Sequence, residues 1–466
     1  MKRILFLAPA SAISVYAKSK IKIAISHLPV ISLAVLAAPL QARGHEVRIL
    51  DLSLYYNYKN KLIEVLEEFQ PHFVGLTFTT PLYGDMKHLS SIVKQTNKDI
   101  KIIGGGPHAT TLPEECLRDS DLDIIVIGEG DNIIADIVER DNLSNINGIA
   151  FKHSDKIIIN PRLDYIRDLD KLPFPAWDLY DIKKYSVPKI RSKRNPVCSI
   201  ETSRGCVYKC SFCNKSIDGL TFRPKSAEKV VDEIEHMLSL GIREVHTQDD
   251  GFSTDIKRAK KIFDLIIKRK IDVTINIANG IRVDRMDREL LEKAKKAGVY
   301  STGFGIESGS QEILNMIPKS TNLEQIRKSV KLCKDVGIES VGYFMFGLDG
   351  ETEKTMNETI DFAKSLDLNM AKATITVPFP GTPLFDNWDK KGYIKTKDWT
   401  KYNYHDPESE SVYEHPNLSR ETLVEYYNKF HKEFYLRPGY IADRLMIGIK
   451  TGSIFEDIKA AAKINW

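Results

Sequence analysis

Short apolar runs alternate with amphipathic stretches through residues 1–145. "RILFLAP", "HEVRILDL", "FVGLTFTT", "KIIGGGPHAT" and "DLDIIVIGEGD" read as strands, each mostly apolar along its length. "ISLAVLAAPLQARG", "KNKLIEVLEEFQ" and "GDMKHLSSIVKQTN" read as the helices between them, the first stopping at Gly44 as helices often do. Strands that are apolar throughout, separated by helices, predict a parallel, doubly wound, Rossmann-like α/β sheet. Such sheets bind ligands beyond the carboxyl ends of their strands. Here those ends are Thr77–Thr80, Gly104–Gly106 and Gly128–Gly130.

Residues 146–190 break the rhythm. A hairpin pattern, "GIAFKHSDKIIIN", precedes the proline-containing "LDKLPFPAWDLYD", which reads as a connector. Alternation restarts over 191–390, with strands near "VCSIETS", "EVHTQDD", "VTINIAN", "YSTGFGIES", "SVGYFMFG" and "KATITVPF". Six βα units fall two short of a full eight-fold barrel, so the pattern permits a partial barrel or an open sheet. In either, chemistry gathers at the strand carboxyl ends, where Cys206, Asp249, Asp250, Glu307 and Gly347 stand. Residues 391–466 form a small, mostly helical region whose aromatics read as packing.

Composition narrows the function classes. The chain has 466 residues and a formal charge of +4, so nothing points to a nucleic-acid partner. The basic, apolar start resembles a signal peptide, but Pro9 interrupts it and "RILFLAP" serves as a buried strand. "LPVISLAVLAAPL" falls short of the ~20 residues of a membrane span. No transmembrane segment and a cytoplasmic location are expected.

Six cysteines in this length make no disulfide framework. Cys116, Cys198 and Cys333 are scattered, but Cys206, Cys210 and Cys213 share one loop, "TSRGCVYKCSFCNK". Arg204, Lys209 and Lys215 flank them, a setting expected to favour thiolates. A structural zinc site needs four ligands, and Cys198, the available fourth, lies inside a strand. An iron–sulfur cluster held by three thiolates, with one iron open to substrate, fits better.

The C-x3-C-x-aromatic-C loop after the first strand of the second unit resembles the radical S-adenosylmethionine superfamily. The resemblance implies a [4Fe-4S] cluster on Cys206, Cys210 and Cys213. Its open iron would chelate S-adenosylmethionine and cleave it to methionine and a 5′-deoxyadenosyl radical. Phe212 would lie beside the adenine. Glu307 in "IESGSQEIL", Asp249 and Asp250 in "QDDGF", and Gly347 in "FMFGLDGET" match the family's S-adenosylmethionine-binding strand ends, followed by "PFPGTPLFD" at the sixth.

Residues 1–145 resemble the cobalamin-binding domain that precedes many of these barrels. That resemblance assigns Thr77, Thr79, Thr80, Gly104, Gly105, Gly106 and Glu129 to the corrin and its tail. The D-x-H-x-x-G motif that supplies a cobalt ligand is missing, and His27, His45 and His108 do not replace it. Base-off cobalamin without a protein histidine is therefore implied. Methylthiotransferases carry three further cysteines in this region, whereas residues 1–150 contain only Cys116.

The implied activity is methylation of an unactivated carbon from methylcobalamin. An oxidative cyclase or rearrangement enzyme of the same architecture is the alternative, and a cobalamin carrier or electron-transfer protein the non-enzymatic one. The partners implied are a small-molecule or lipid-like substrate and an electron donor such as flavodoxin or ferredoxin.

Overall fold

A computed structural model describes residues 1–10, 15, 27–189, 191–404, 406–407 and 409–451. Its first sheet contains β1 (Arg3–Ala8), β2 (Glu46–Asp51), β3 (Phe73–Thr77), β4 (Lys101–Gly105), β5 (Ile124–Val126), β6 (Ile149–His153) and β7 (Lys156–Asn160). The order is β2-β1-β3-β4-β5-β6-β7, with β1 to β5 parallel. The order reverses between β1 and β3, and the crevice at such a switch point is where these folds bind ligands.

The residues explain the layering. Ile4 to Ala8 are all buried because helices cover both faces of β1. Helix α1 (Ile31–Ala42) is apolar all round, so it is buried between the sheet and the connector; Ala34 O accepts from Ala176 N at 3.0 Å. Helix α2 (Tyr58–Phe69) instead buries one stripe, Leu62, Val65, Leu66 and Phe69, at the helical period. Helices α3 (Tyr83–Thr96), α4 (Pro107–Thr111), α5 (Pro113–Arg118) and α6 (Ile134–Glu139) complete the layers.

One predicted boundary shifts. The hairpin β6–β7, expected in the 146–190 connector, extends the first sheet, because β6 pairs antiparallel with β5. Its apolar residues Ile149, Ala150 and Phe151 are buried there, which holds the hairpin to the sheet edge.

The second sheet holds β8 (Val197–Ile200), β11 (Glu244–Thr247), β12 (Thr274–Ile277), β13 (Val299–Glu307), β14 (Glu339–Phe346) and β15 (Met370–Ile375), all parallel and in sequential order. Two short strands, β9 (Ser203–Arg204) and β10 (Arg223–Pro224), pair by themselves. The six-stranded sheet is curled. Tyr300 on β13 donates from its hydroxyl to Glu244 on β11 at 2.8 Å, reaching over β12. Tyr343 on β14 makes a similar reach, donating from its hydroxyl to Ala278 O just past β12 at 3.0 Å. In β14 alternate residues Ser340, Gly342, Phe344 and Phe346 are buried, while Val341, Tyr343 and Met345 face the hollow side.

Helices α7 (Ala227–Ser239), α8 (Ile256–Arg269), α9 (Arg288–Lys296), α10 (Gln311–Met316), α11 (Leu323–Val336), α12 (Glu353–Ser365) and α13 (Pro383–Lys390) follow these strands. Capping fixes several starts. Ser226, Asp255, Asp287, Asn322, Thr352 and Thr382 each accept from a first-turn N–H. Helix α14 (Arg420–Tyr435) closes the outside, with Phe430 against Phe344 and Phe346 at 5.0 and 5.6 Å between ring centres. Helix α15 (Pro438–Thr451) ends the described chain. One apolar core runs from the first sheet through Trp177, Tyr180 and Trp399 into the barrel, so the two units pack as one body.

Candidate active site

The three clustered cysteines lie on a closed loop. Strands β9 and β10 pair Arg204 with Arg223 and Ser203 with Pro224, tying off residues 205–222. Gly205 opens the loop at a φ of +78°, where a Cβ would sit 2.2 Å from Thr221 O. Only glycine takes that turn without strain. Inside, Cys206 N donates to Gly219 O and Cys213 N to Cys210 O. Asn214 fastens the loop to both units through Thr111 Oγ1 at 3.3 Å and Pro380 O at 3.0 Å. Leu384 N adds a bond to Ser211 O at 2.9 Å.

Cys206 is buried, while Cys210 and Cys213 are partly open. The thiols sense one another, Cys213 lying within electrostatic reach of both Cys206 and Cys210. Yet among the described residues no three Cys, His, Asp or Glu converge tightly enough to grip a single metal ion. Tetrahedral zinc draws its sulfurs to ~2.3 Å from one centre. Burial pushes the Cys210 and Cys213 thiols up, against the expected thiolate-favouring shift. The cations opposing this are Lys319 and Arg282 at Cys210 and Lys215 at Cys213. Of the flanking cations Lys215 acts on Cys213, whereas Arg204 is committed elsewhere and Lys209 is exposed; Lys319 and Arg282 come from far along the chain.

Glu307 stands beside Cys210 at the end of β13. Its φ of +65° accompanies a register slip against β14, a strained geometry of the sort found at functional sites. Its carboxylate accepts from Lys319 Nζ, and both side chains are buried. Arg282 donates to Lys319 O at 2.7 Å, and its guanidinium lies 3.2 Å over the Tyr208 ring. Asp284 accepts from Arg282 Nε at 2.8 Å and from the Tyr208 hydroxyl at 3.1 Å, so the Cys210 side of the loop is surrounded by two cations and two carboxylates, groups that can pair with an amino acid's ammonium and carboxylate. Phe212 packs partly buried against the main core.

On the other side of the loop lies a cavity of about 480 Å³. Thr77, Thr79, Gly104, Gly105, Gly106, Gly128 and Gly130 line it from the first sheet. Glu201, Arg204, Asp218, Gln248 and Asp250 line it from the second unit. The carboxyl ends of the two sheets therefore face each other across one space. A Cβ at Gly105 would meet only Val126, at 3.9 Å, so a larger side chain there would grow into the cavity. A backbone floor of small residues, with apolar walls from Val30, Ile31, Val35 and Leu36, fits a broad, flat group such as a corrin. Among the described residues no histidine lines it.

Arg204 joins the halves. Its Nη1 donates to Glu129 at 2.8 Å and to Asp131 at 3.1 Å, its Nη2 to Asp131 at 2.8 Å, and its Nε to Glu201 at 2.5 Å. Arg223 Nη1 takes both oxygens of Glu129, at 2.8 and 2.9 Å. Asp218 sits at the cavity edge, pushed up to about 7 by burial and by Glu201 and Asp250.

Several sequence assignments change. Glu129 lines the cavity, but its carboxylate is spent on Arg204, Arg223 and the Ile166 N–H. Thr80 is buried away from the cavity, bonded to His108 Nδ1 at 3.0 Å. Asp249 is also interior, accepting from Thr202 N at 2.6 Å, from the Thr202 hydroxyl and from Ser203 at 2.9 Å; it braces the loop's base. Gly347 turns at the end of β14 beneath α14, giving its N–H to Glu351 at 2.5 Å. Asp250, by contrast, faces the cavity. Lys319, Arg282, Asp131 and Glu201 carried no motif; their roles depend on partners far away in sequence.

The comparisons agree with this geometry. Residues 25–138 match the family described as the B12 binding domain, and residues 200–363 match the radical SAM superfamily. The chain is 31% identical to an uncharacterized methyltransferase of Pyrococcus horikoshii, over 88% of each chain. It is 28% identical to an anaerobic magnesium-protoporphyrin IX monomethyl ester cyclase of Rubrivivax gelatinosus, covering 88% of this chain and 74% of the relative. In fold it is similar to the radical S-adenosylmethionine methyltransferase TsrM from Kitasatospora setae, solved with cobalamin and a [4Fe-4S] cluster. The TM-score there is 0.69 at 21% identity, covering 85% of this chain and 80% of that one. A B12-binding sheet facing a three-cysteine barrel, with these relatives, makes the chain a member of the cobalamin-dependent radical SAM enzymes.

Proposed function

We propose that this enzyme methylates an unactivated carbon of a small molecule. The observation that carries the reading is the shared cavity: the first sheet's strand ends and residues of the second unit, with Asp218 of the cysteine-bearing loop among them, line the same space. Methyltransferases among its relatives and fold neighbours support it. When bound, the cluster supplies the electron that splits S-adenosylmethionine, and the corrin supplies the methyl group. The chain's own residues position these partners. Cys206, Cys210 and Cys213 hold the cluster; Phe212, Glu307, Lys319 and Arg282 hold S-adenosylmethionine. Thr77, Thr79 and Gly104–Gly106 carry the corrin. With no D-x-H-x-x-G motif in the sequence and no histidine lining the cavity among the described residues, we assign base-off cobalamin. The Arg204 ion-pair network fixes the distance between the halves, and the continuous core seals water from behind. A flavodoxin- or ferredoxin-type donor in the cytoplasm fits the electron requirement. Among the described residues no helix is long and apolar enough to cross a membrane.

The test is anaerobic reconstitution with iron, sulfide, hydroxocobalamin, reductant and S-adenosylmethionine. We expect one corrin per chain and release of 5′-deoxyadenosine, abolished in Cys210→Ala. A normally absorbing cluster that yields no 5′-deoxyadenosine refutes the reading. The product of a cell carrying the gene should gain one CH2 unit; a ring closure without that gain would assign the cyclase chemistry of the Rubrivivax relative instead.

A further inference from the structure

The cysteine loop, residues 205–222, is clamped along one half and open along the other. Ser211 O accepts from Leu384 N, and Asn214 bonds Thr111 Oγ1 and Pro380 O, so residues 211–214 are packed against both units. Ile217 and Asp218 face the shared cavity. Tyr208 lies beneath the Arg282 guanidinium and bonds Asp284. The residues on either side of it, Val207 and Lys209, are exposed, and so is Leu220. Val207 and Leu220 belong to adjoining stretches of backbone. Cys206 N donates to Gly219 O at 3.3 Å, and each of the two apolar residues stands next to one end of that bond.

The tip is also cationic. Among the described residues Lys209 makes no hydrogen bond and no ion pair. Exposed Arg285 reaches the same tip, its Nε donating to the Tyr208 hydroxyl at 3.4 Å. Asp284 lies 3.9 Å from Arg285 but is already bonded to Arg282 Nε and the Tyr208 hydroxyl. Two apolar side chains left in water, beside two exposed cations, have the composition of a small contact surface with an apolar centre and a polar rim.

The proposed reaction takes its electron from outside the chain, and transfer between proteins falls off steeply with distance. A donor must therefore come close to the cysteines. The Cys210 side is filled by Glu307, Lys319 and Arg282, and residues 211–214 are covered. The segment between Cys206 and Cys210 is the exposed approach.

We propose that Val207, Lys209, Leu220 and Arg285 form the docking surface for the electron donor, and that the donor is a flavodoxin, a small acidic protein whose flavin edge is apolar and ringed by carboxylates. The cations meet the carboxylates and the two apolar residues meet the flavin edge. One electron leaves the partner's reduced flavin and enters the cluster; no bond forms or breaks. Redox encounters use small surfaces, under roughly 1,200 Å², so a loop tip and its rim suffice. This names the partner of the proposed reaction and rests on that reading.

The test uses the reconstituted holoenzyme and a flavodoxin. Carbodiimide should join Lys209 to a flavodoxin carboxylate, read by peptide mass spectrometry, and raised sodium chloride should suppress the link. Lys59, exposed on the first unit, should stay unlinked. In stopped flow, bleaching of the cluster by reduced flavodoxin should slow roughly tenfold in Lys209→Glu and in Leu220→Asp, while dithionite bleaches both as fast as the wild type. Cross-linking of the unaltered chain decides the matter even where a variant misfolds. The proposal is overturned if no flavodoxin link forms at Lys209, or if both variants accept flavodoxin electrons within roughly twofold of the wild-type rate. A ferredoxin that links at Lys209 where flavodoxin does not would overturn it too. Flavodoxin-driven bleaching without release of 5′-deoxyadenosine would refute the proposed function and leave the docking surface standing.

Discussion

Replacing Arg204 with methionine tests whether one buried guanidinium joins the two halves of the site. Methionine roughly keeps the length and apolar stem but removes every donor. Arg204 serves three carboxylates, Glu129, Asp131 and Glu201, and the first two are buried with it. Without it, Glu129 keeps Arg223, but Asp131 loses both its bonds to Arg204 and Glu201 loses its own. Removing one partner of a buried ion pair costs about 3–5 kcal/mol, because the remaining charge stays desolvated. Glu201 is more open to water and adds little. We therefore expect a loss of about 3–5 kcal/mol, a large part of a typical margin of about 5–15. The assay is urea unfolding of the cofactor-free protein, with corrin binding measured alongside. The double variant Arg204→Met, Asp131→Asn should recover much of the loss, since the stranded charge is gone. A loss below about 1 kcal/mol, in the range of an exposed pair, would refute the claim that this network is a buried joint.

Other outcomes follow from the same coordinates. Gly105→Leu should fold with little loss and bind hydroxocobalamin at least roughly tenfold more weakly, because its side chain grows into the cavity; unchanged corrin uptake by gel filtration would argue against the cavity assignment. Glu351 is buried, with Gly347 N and Leu348 N on one oxygen, and burial pushes it from its ordinary 4.5 up to about 8. Its contribution to stability is complete below the unfolded value and is lost as pH rises through about 8. Glu351→Gln should remove that slope, so the variant gains on the wild type by up to a few kcal/mol between acid and mildly alkaline pH; parallel melting-temperature profiles would contradict it. Lys319→Met strands the Glu307 carboxylate and should weaken S-adenosylmethionine binding by roughly tenfold or more, with iron content unchanged. Equilibrium dialysis with the labelled compound measures it, and an unaltered affinity would place Glu307 outside that site.

The sequence by itself determined the elements, the strand ends and the loop that gathers three cysteines. Apolar runs such as Ile4–Ala8 make covered strands, whereas the alternate burial along Ser340–Phe346 came only from the fold, because its sequence is not alternating. Three cysteines within eight positions stay on one short loop wherever that loop packs. Glycine turns are equally local, so Gly104–Gly106 were legible as a floor before any packing was known. Tertiary structure alone decided which polar groups face the cavity. Asp249 and Asp250 are neighbours in sequence, yet one braces Thr202 and the other faces open space, since adjacent residues leave the backbone in different directions. Thr80 and Glu129 were drawn off by His108 and by two arginines, partners that buried polar groups must find wherever the fold supplies them. Arg204 to Glu129 and Glu307 to Lys319 are such long-range pairings, and no local pattern encodes them, because charge acts through space rather than along the chain.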